Sequence, residues 1–94
     1  MRDLQESRNA LDAVDREIVR LFEERMTIAR DVAAYKLANG MPVLDRSREE
    51  QVLESRCAML TDPHWGPSVR ALYEQIMALS RQEQQRLIEE ANHA

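Results

Sequence analysis

Residues 4–38 read LQESRNALDAVDREIVRLFEERMTIARDVAAYKLA and contain neither Gly nor Pro. Apolar side chains recur in this stretch at intervals of three, four or seven residues, which is the spacing of one helix face. The stretch therefore predicts a single helix about 50 Å long. Its apolar face consists of Leu4, Leu11, Val14, Ile18, Leu21, Ile28 and Val32.

A helix of that length is too long for a compact chain of 94 residues. Such a chain would have a radius of gyration of about 12 Å. The roughly 55 residues outside the helix cannot cover the whole rod. The apolar face therefore predicts a second copy of the chain, packed along a heptad-like seam. We expect one domain, residues 1–94, that forms an intertwined helical homodimer.

The rest of the chain predicts two further helices. Gly40 and Pro42 end the first helix, and a short helix is expected at about residues 45–60 with Asp45 as its N-cap. Turn residues at 61–66 and a proline at position 67 precede a third helix, expected at about residues 67–90. The predicted fold class is all-α, with a long, a short and a medium-long helix per chain.

Composition and charge narrow the classes of function. The chain has 13 Lys and Arg and 17 Asp and Glu residues, which gives a formal net charge of −4. This charge argues against nucleic acid or an anionic membrane as the partner. The single cysteine, Cys57, rules out an intramolecular disulfide and a paired-cysteine metal site. No stretch is apolar enough for a signal peptide or a membrane span, so we expect a cytoplasmic protein.

Polar side chains interrupt the apolar faces of all three predicted helices. Taken singly, each fits an ordinary structural role, since a seam arginine can pack its stem and keep its charged head in water. Taken together, they predict one buried polar pocket, and because buried cations are costly unless matched, the pocket implies an anionic ligand. The residues are Arg25 and Lys36 on the first helix, Asp45, Arg48 and Glu49 on the second, and Ser80 and Gln84 on the third.

Arg8 lies far from the other candidate residues of the first helix. It precedes Arg25 by 17 residues, which is about 26 Å along a straight helix and about 100° around it. No small molecule could touch both side chains within one chain. Two antiparallel copies would bring Arg8 of one chain toward Arg25 and Lys36 of the other, so we expect a composite site at the dimer interface.

Five pieces of sequence stand in order along the chain: RNALDAVD at 8–15, ER at 24–25, Lys36, PVLDRSRE at 42–49 and SRQEQ at 80–84. Together they resemble the all-helical, AroQ-class chorismate mutases, over nearly the whole chain from Leu4 to about Leu87. The resemblance implies three helices per chain, two intertwined chains and two sites, each built from both chains. It also implies conversion of the dianion chorismate to prephenate, in phenylalanine and tyrosine biosynthesis, with no metal or cofactor.

The resemblance further implies a role for each polar residue. Lys36 and Gln84 would donate hydrogen bonds to the ether oxygen of chorismate, which gains negative charge as its bond to the ring breaks. The remaining positions would bind the substrate. They are Arg25 and the second chain's Arg8 at the carboxylates, Asp45 and Glu49 at the ring hydroxyl, Ser80 at a carboxylate, and Arg48 as a support for Glu49.

Two alternatives remain open. An isochorismate pyruvate lyase of the same fold would eliminate pyruvate from a similar dianion, although Asp45, Glu49 and Ser80 follow the mutase pattern. A non-catalytic helical dimer that binds a carboxylated metabolite would have no need of the Lys36–Gln84 pair, because it has no breaking ether bond to stabilise.

Overall fold

The computed structural model describes residues 1–93, and every regular element in that range is helical. Helix α1 spans Leu4–Ala38, α2 spans Arg46–Ala58 and α3 spans Gly66–Asn92, with a short 3₁₀ turn at Pro63–Trp65 before α3. The predicted all-α chain with a long, a short and a medium-long helix is confirmed. Helix α2 is shorter at both ends than expected, and α3 runs two residues further. Within residues 1–93, no helix has both the length and the apolar character that crossing a bilayer requires.

Helix α1 begins at a side-chain cap and ends at a glycine. The Asp3 carboxylate accepts the backbone N–H of Glu6 at 2.8 Å, which satisfies one of the free N–H groups of the first turn. At the other end Gly40 has φ +64°, a conformation that glycine adopts without a Cβ penalty. The N–H of Met41 then reaches back to the carbonyl of Lys36 at 2.8 Å. This turn carries the following loop alongside the last turn of α1.

Helices α2 and α3 enclose the small apolar core of the chain. The Asp45 carboxylate caps α2 by accepting the N–H of Arg48 at 3.0 Å, and α2 then buries Val52 and Leu53 against Met77 of α3. Tyr73 packs on the same cluster. This contact fixes which faces of the two helices meet.

Helix α3 also packs against the C-terminal half of α1. Ala29 and Ala33 are buried on α1, and such small side chains allow two helix backbones to approach closely. An ion pair from Arg30 to Glu83, at 3.6 Å, joins the same two helices. A hydrogen bond from Arg86, together with the charges of Arg86 and Arg30, lowers the pKa of the Glu83 carboxyl below its usual value.

The apolar face of α1 is left uncovered within the chain. Its side chains are between 40% and 66% exposed, and every residue from 11 to 21 is exposed. The chain is 54 Å long with a radius of gyration of 16.8 Å, against the 12 Å or so of a compact chain of this length. On α3, Leu72 is exposed as well. These apolar surfaces find no cover within residues 1–93.

Candidate active site

A cavity of about 340 Å³ lies where the three helices and the α1–α2 loop meet. This volume is at the small end of the range typical of small-molecule sites. Seven of the eight predicted site residues line it. They are Arg25, Lys36, Asp45, Arg48, Glu49, Ser80 and Gln84.

Arg8 is the predicted site residue that the chain does not bring to the cavity. It is exposed on the first half of α1 and does not line the cavity. Since α1 is one unbroken helix from Leu4 to Ala38, Arg8 lies about 26 Å from Arg25 along the axis. A role for Arg8 at a cavity therefore requires the cavity of a second chain.

Lys36 is held at the cavity wall by the loop that follows α1. Its Nζ donates to the backbone carbonyl of Val43 at 2.7 Å. The glycine turn at Gly40 places that carbonyl there by folding the loop back along α1. Because an ammonium group has three N–H donors, Lys36 keeps two for other acceptors.

Ser80 and Gln84 form a hydrogen-bonded pair on the cavity side of α3. Both residues are only 7% exposed, and the Nε2 of Gln84 donates to the Oγ of Ser80 at 3.0 Å. The amide oxygen of Gln84 is buried without a partner in the described part of the chain. A half-turn of the amide would let Ser80 donate to that oxygen and would free Nε2 to donate to a ligand.

Glu49 is paired with an arginine that the sequence analysis missed. Arg48 was expected to support Glu49, but its Nη1 donates to Gln51 Oε1 at 2.8 Å, because consecutive helical residues point about 100° apart. Instead, Nη1 of Arg81 donates to both carboxylate oxygens of Glu49, at 2.5 and 2.6 Å. Arg81 follows Ser80 directly, but its pairing depends on how α2 packs on α3, which helical periodicity does not reveal.

The cavity is more positive than the chain around it. Five cationic and two acidic side chains line it, although the chain as a whole carries a net charge of −4. Within residues 1–93, Arg81 alone among the five forms an ion pair with a carboxylate. Such a surplus of cations suits a small anion with more than one negative charge. The cationic residues are Arg25, Lys36, Arg48, Arg56 and Arg81.

The two carboxylates are already engaged by the protein. Asp45 caps α2 and Glu49 pairs with Arg81. In the part of the chain that is described, no group of three or more His, Cys, Asp or Glu side chains lies close enough together to hold a metal ion.

Comparison with known proteins gives a family match over most of the chain. The sequence model of the family described as chorismate mutase type II matches residues 7–85. A protein named chorismate mutase from Methanocaldococcus jannaschii is 37% identical over 51 residues, which are 54% of this chain and 52% of that protein. The T-protein of Haemophilus influenzae is 32% identical over 56 residues, 60% of this chain and 15% of that protein. The chain thus matches about half of the first relative and a small part of the second. No solved structure gives a significant match.

Proposed function

The chain belongs to the chorismate mutase type II family, and from this we propose that it converts chorismate to prephenate in the cavity between its three helices. The reaction is an intramolecular rearrangement in which a C–O ether bond breaks while a C–C bond forms. One observation carries the proposal: four cations without a carboxylate partner among residues 1–93 surround a cavity of about 340 Å³ in an acidic chain. A small dianion would satisfy them.

Lys36 and Gln84 act on the breaking bond. The ether oxygen gains negative charge as its bond to the ring lengthens, and hydrogen-bond donors aimed at it stabilise the transition state more than the substrate. Lys36 has two N–H groups left after its bond to Val43. The Gln84 amide group donates to the ether oxygen after a half-turn. In that orientation its own oxygen accepts a hydrogen bond from the Ser80 hydroxyl.

Binding at several points also holds the substrate in the shape that the rearrangement needs. Arg25 grips a carboxylate with its planar, forked donors, and Glu49 accepts the hydrogen of the ring hydroxyl. The enolpyruvyl arm is then held over the ring, so that the two carbon atoms to be joined lie close together. Restraint of this kind removes much of the entropic cost of reaching the transition state.

The active form is a homodimer in which each cavity receives Arg8 from the other chain. Three observations support this part of the proposal: the uncovered apolar face of α1, the extended shape of the chain, and the position of Arg8 far from its own cavity. An isologous dimer would cover both apolar faces with one contact and would complete two sites at once.

The test is an absorbance assay with purified protein and chorismate. We expect chorismate to disappear and prephenate to form, with a Lys36→Ala chain purified in the same way as the control for contaminating host enzyme. Release of pyruvate from isochorismate, without turnover of chorismate, would replace the proposal by the lyase alternative. Tight binding of chorismate without any turnover would replace it by the non-catalytic alternative.

A further inference from the structure

Two Arg–Glu pairs join α2 to α3, and only one of them faces the cavity. Arg70 and Glu50 pair at 3.2 Å on the outer surface, with side chains 44% and 53% exposed. Arg81 and Glu49 pair at the cavity wall, with side chains 35% and 25% exposed. Both pairs can hold the helices together, but only the second can influence a ligand.

The Arg81 pair acts on the orientation of the Glu49 carboxylate. A glutamate side chain has several freely rotating bonds, and each held conformation costs entropy. Nη1 of Arg81 contacts both oxygens of Glu49 and so holds the carboxylate at one position on the cavity wall. Because each carboxylate oxygen has two acceptor positions, the pair leaves acceptor capacity for a hydroxyl group in the cavity.

We propose that Arg81 is a positioning residue, which through its ion pair fixes Glu49 as the acceptor for the ring hydroxyl of the substrate. The inference rests on the proposed function, since it assumes that a hydroxylated dicarboxylate occupies the cavity. Arg81 then sets selectivity for the hydroxyl group without touching it. Two other roles compete with this one. Arg81 could contact a substrate carboxylate directly, or its ion pair could serve only to hold α2 against α3.

The experiment measures binding of a stable bicyclic dicarboxylate shaped like the rearranging substrate, in two versions, with and without the hydroxyl group. Isothermal titration calorimetry gives the dissociation constant for the parent, Arg81→Ala, Arg81→Lys and the control Arg70→Ala. We expect the parent to bind the hydroxylated version about tenfold or more tightly than the version without the hydroxyl. This is the difference that a hydrogen bond to a charged group usually makes. Arg81→Ala removes one cavity cation and should weaken both versions, but it should also lose most of the preference for the hydroxylated one.

The other variants separate positioning from mere structure. Arg81→Lys should recover part of the preference, because an ammonium group can still pair with Glu49, although from a side chain of different length and shape. Arg70→Ala removes the same kind of helix tie and should keep the whole preference. When Glu49→Gln is already present, removing Arg81 should reduce the preference for the hydroxylated ligand little further, since both changes act through one interaction. If Arg81→Ala fails to fold, as judged by its melting temperature, Arg81→Gln takes its place.

Each remaining outcome overturns the inference in a distinguishable way. Weaker binding of both ligands in Arg81→Ala with the preference kept would show that Arg81 acts on the substrate carboxylates and not through Glu49. An unchanged preference would show that the pair does not position Glu49. A parent that binds both versions equally would contradict the role of Glu49 itself. A parent that binds neither would contradict the proposed function and the inference together.

Discussion

Gln84 is a side chain whose hydrogen bonds are incomplete in the chain alone. Its amide lies on the cavity side of α3, donates to Ser80 and leaves a buried oxygen without a partner in the described residues. An unsatisfied buried polar group of this kind costs about 1–3 kcal/mol. A ligand that accepts from Nε2 would remove the cost, because the turned amide gives its oxygen to Ser80. The position would thus suit a ligand that accepts a hydrogen bond.

Gln84→Glu should make activity depend on pH. The rearrangement transfers no proton, so the parent should be nearly flat from about pH 6 to about pH 8.5. A carboxylate at this position has no hydrogen to donate and would repel the charge that develops on the ether oxygen. Activity should therefore be low near neutrality and should recover as the pH falls and the new carboxyl is protonated.

The matched control for that profile is Gln85→Glu, the same change at an exposed neighbouring position. It should keep the flat profile of the parent. A Gln84→Glu profile parallel to that of Gln85→Glu would mean that Gln84 does not contact the breaking bond.

Lys36→Ala should lower kcat by about 10²–10³-fold, the usual cost of losing a donor to a developing oxyanion. The fold should persist, because the side chain is only half-buried and its bond is to a loop carbonyl. Steady-state kinetics and far-ultraviolet circular dichroism check the two parts. Arg46→Ala, which removes an exposed positive charge outside the cavity lining, is the control. A change confined to KM would assign Lys36 to substrate binding alone.

Among the elements, the α1–α2 connection has the most direct effect on the site. Gly40 allows the turn, the turn folds the loop back, and the Val43 carbonyl then holds the Lys36 ammonium. The site thus depends on a backbone conformation that lies outside the cavity. A Cβ added at Gly40 would meet no atom within 4 Å, so its cost there is conformational and not steric crowding.

Gly40 should therefore be more sensitive to alanine than Gly66. Gly40→Ala should lower the free energy of unfolding by about 1–2 kcal/mol, since an L-residue is disfavoured at φ +64°. Gly66→Ala should change it by less than about 1 kcal/mol, because the entropy lost from the unfolded chain is opposed by the clash of a helical Cβ with the following Pro67. Urea denaturation at equal chain concentration measures both. Equal shifts would contradict the assigned role of the turn.

The sequence predicts some of these elements closely and others only in outline. The bounds of α1 follow from local signals, because Asp3 is a strong N-cap and Gly40 a strong stop. The pairing of Arg81 with Glu49 depends on the rotation of α3 against α2, which is set by the packing of Met77 on Val52 and Leu53. Helical periodicity specifies a face only to within about one residue, and Arg81 lies one residue from Ser80.

At the scale of the whole molecule, three features of the single chain favour a dimer. Its longest helix exposes an apolar face, its shape is extended, and the predicted site residue Arg8 lies far from the cavity. A second copy of the chain would account for all three features. The prediction of an intertwined dimer can be tested through the sharing of residues between chains, which mass measurements alone do not probe.

Mixing an Arg8→Ala chain with a Lys36→Ala chain should restore activity that each lacks alone. In a mixed dimer one site receives both intact residues and the other receives neither, so random exchange should give about a quarter of the parental sites. The control mixes Arg25→Ala with Lys36→Ala, two residues that line the same chain's cavity, and should restore nothing. Absence of recovery in the first mixture, after subunit exchange is demonstrated by mass spectrometry, would contradict the shared site.

The exposed first half of α1 also has a consequence for how activity depends on the expression level of the protein. If residues 4–21 gain their cover only from a second chain, the number of finished sites in dilute solution rises with the square of the chain concentration. Halving expression would then remove about three quarters of the sites, whereas a monomeric enzyme would lose half. The activity of such an enzyme would therefore fall more steeply with a shortfall in synthesis than that of a monomeric enzyme.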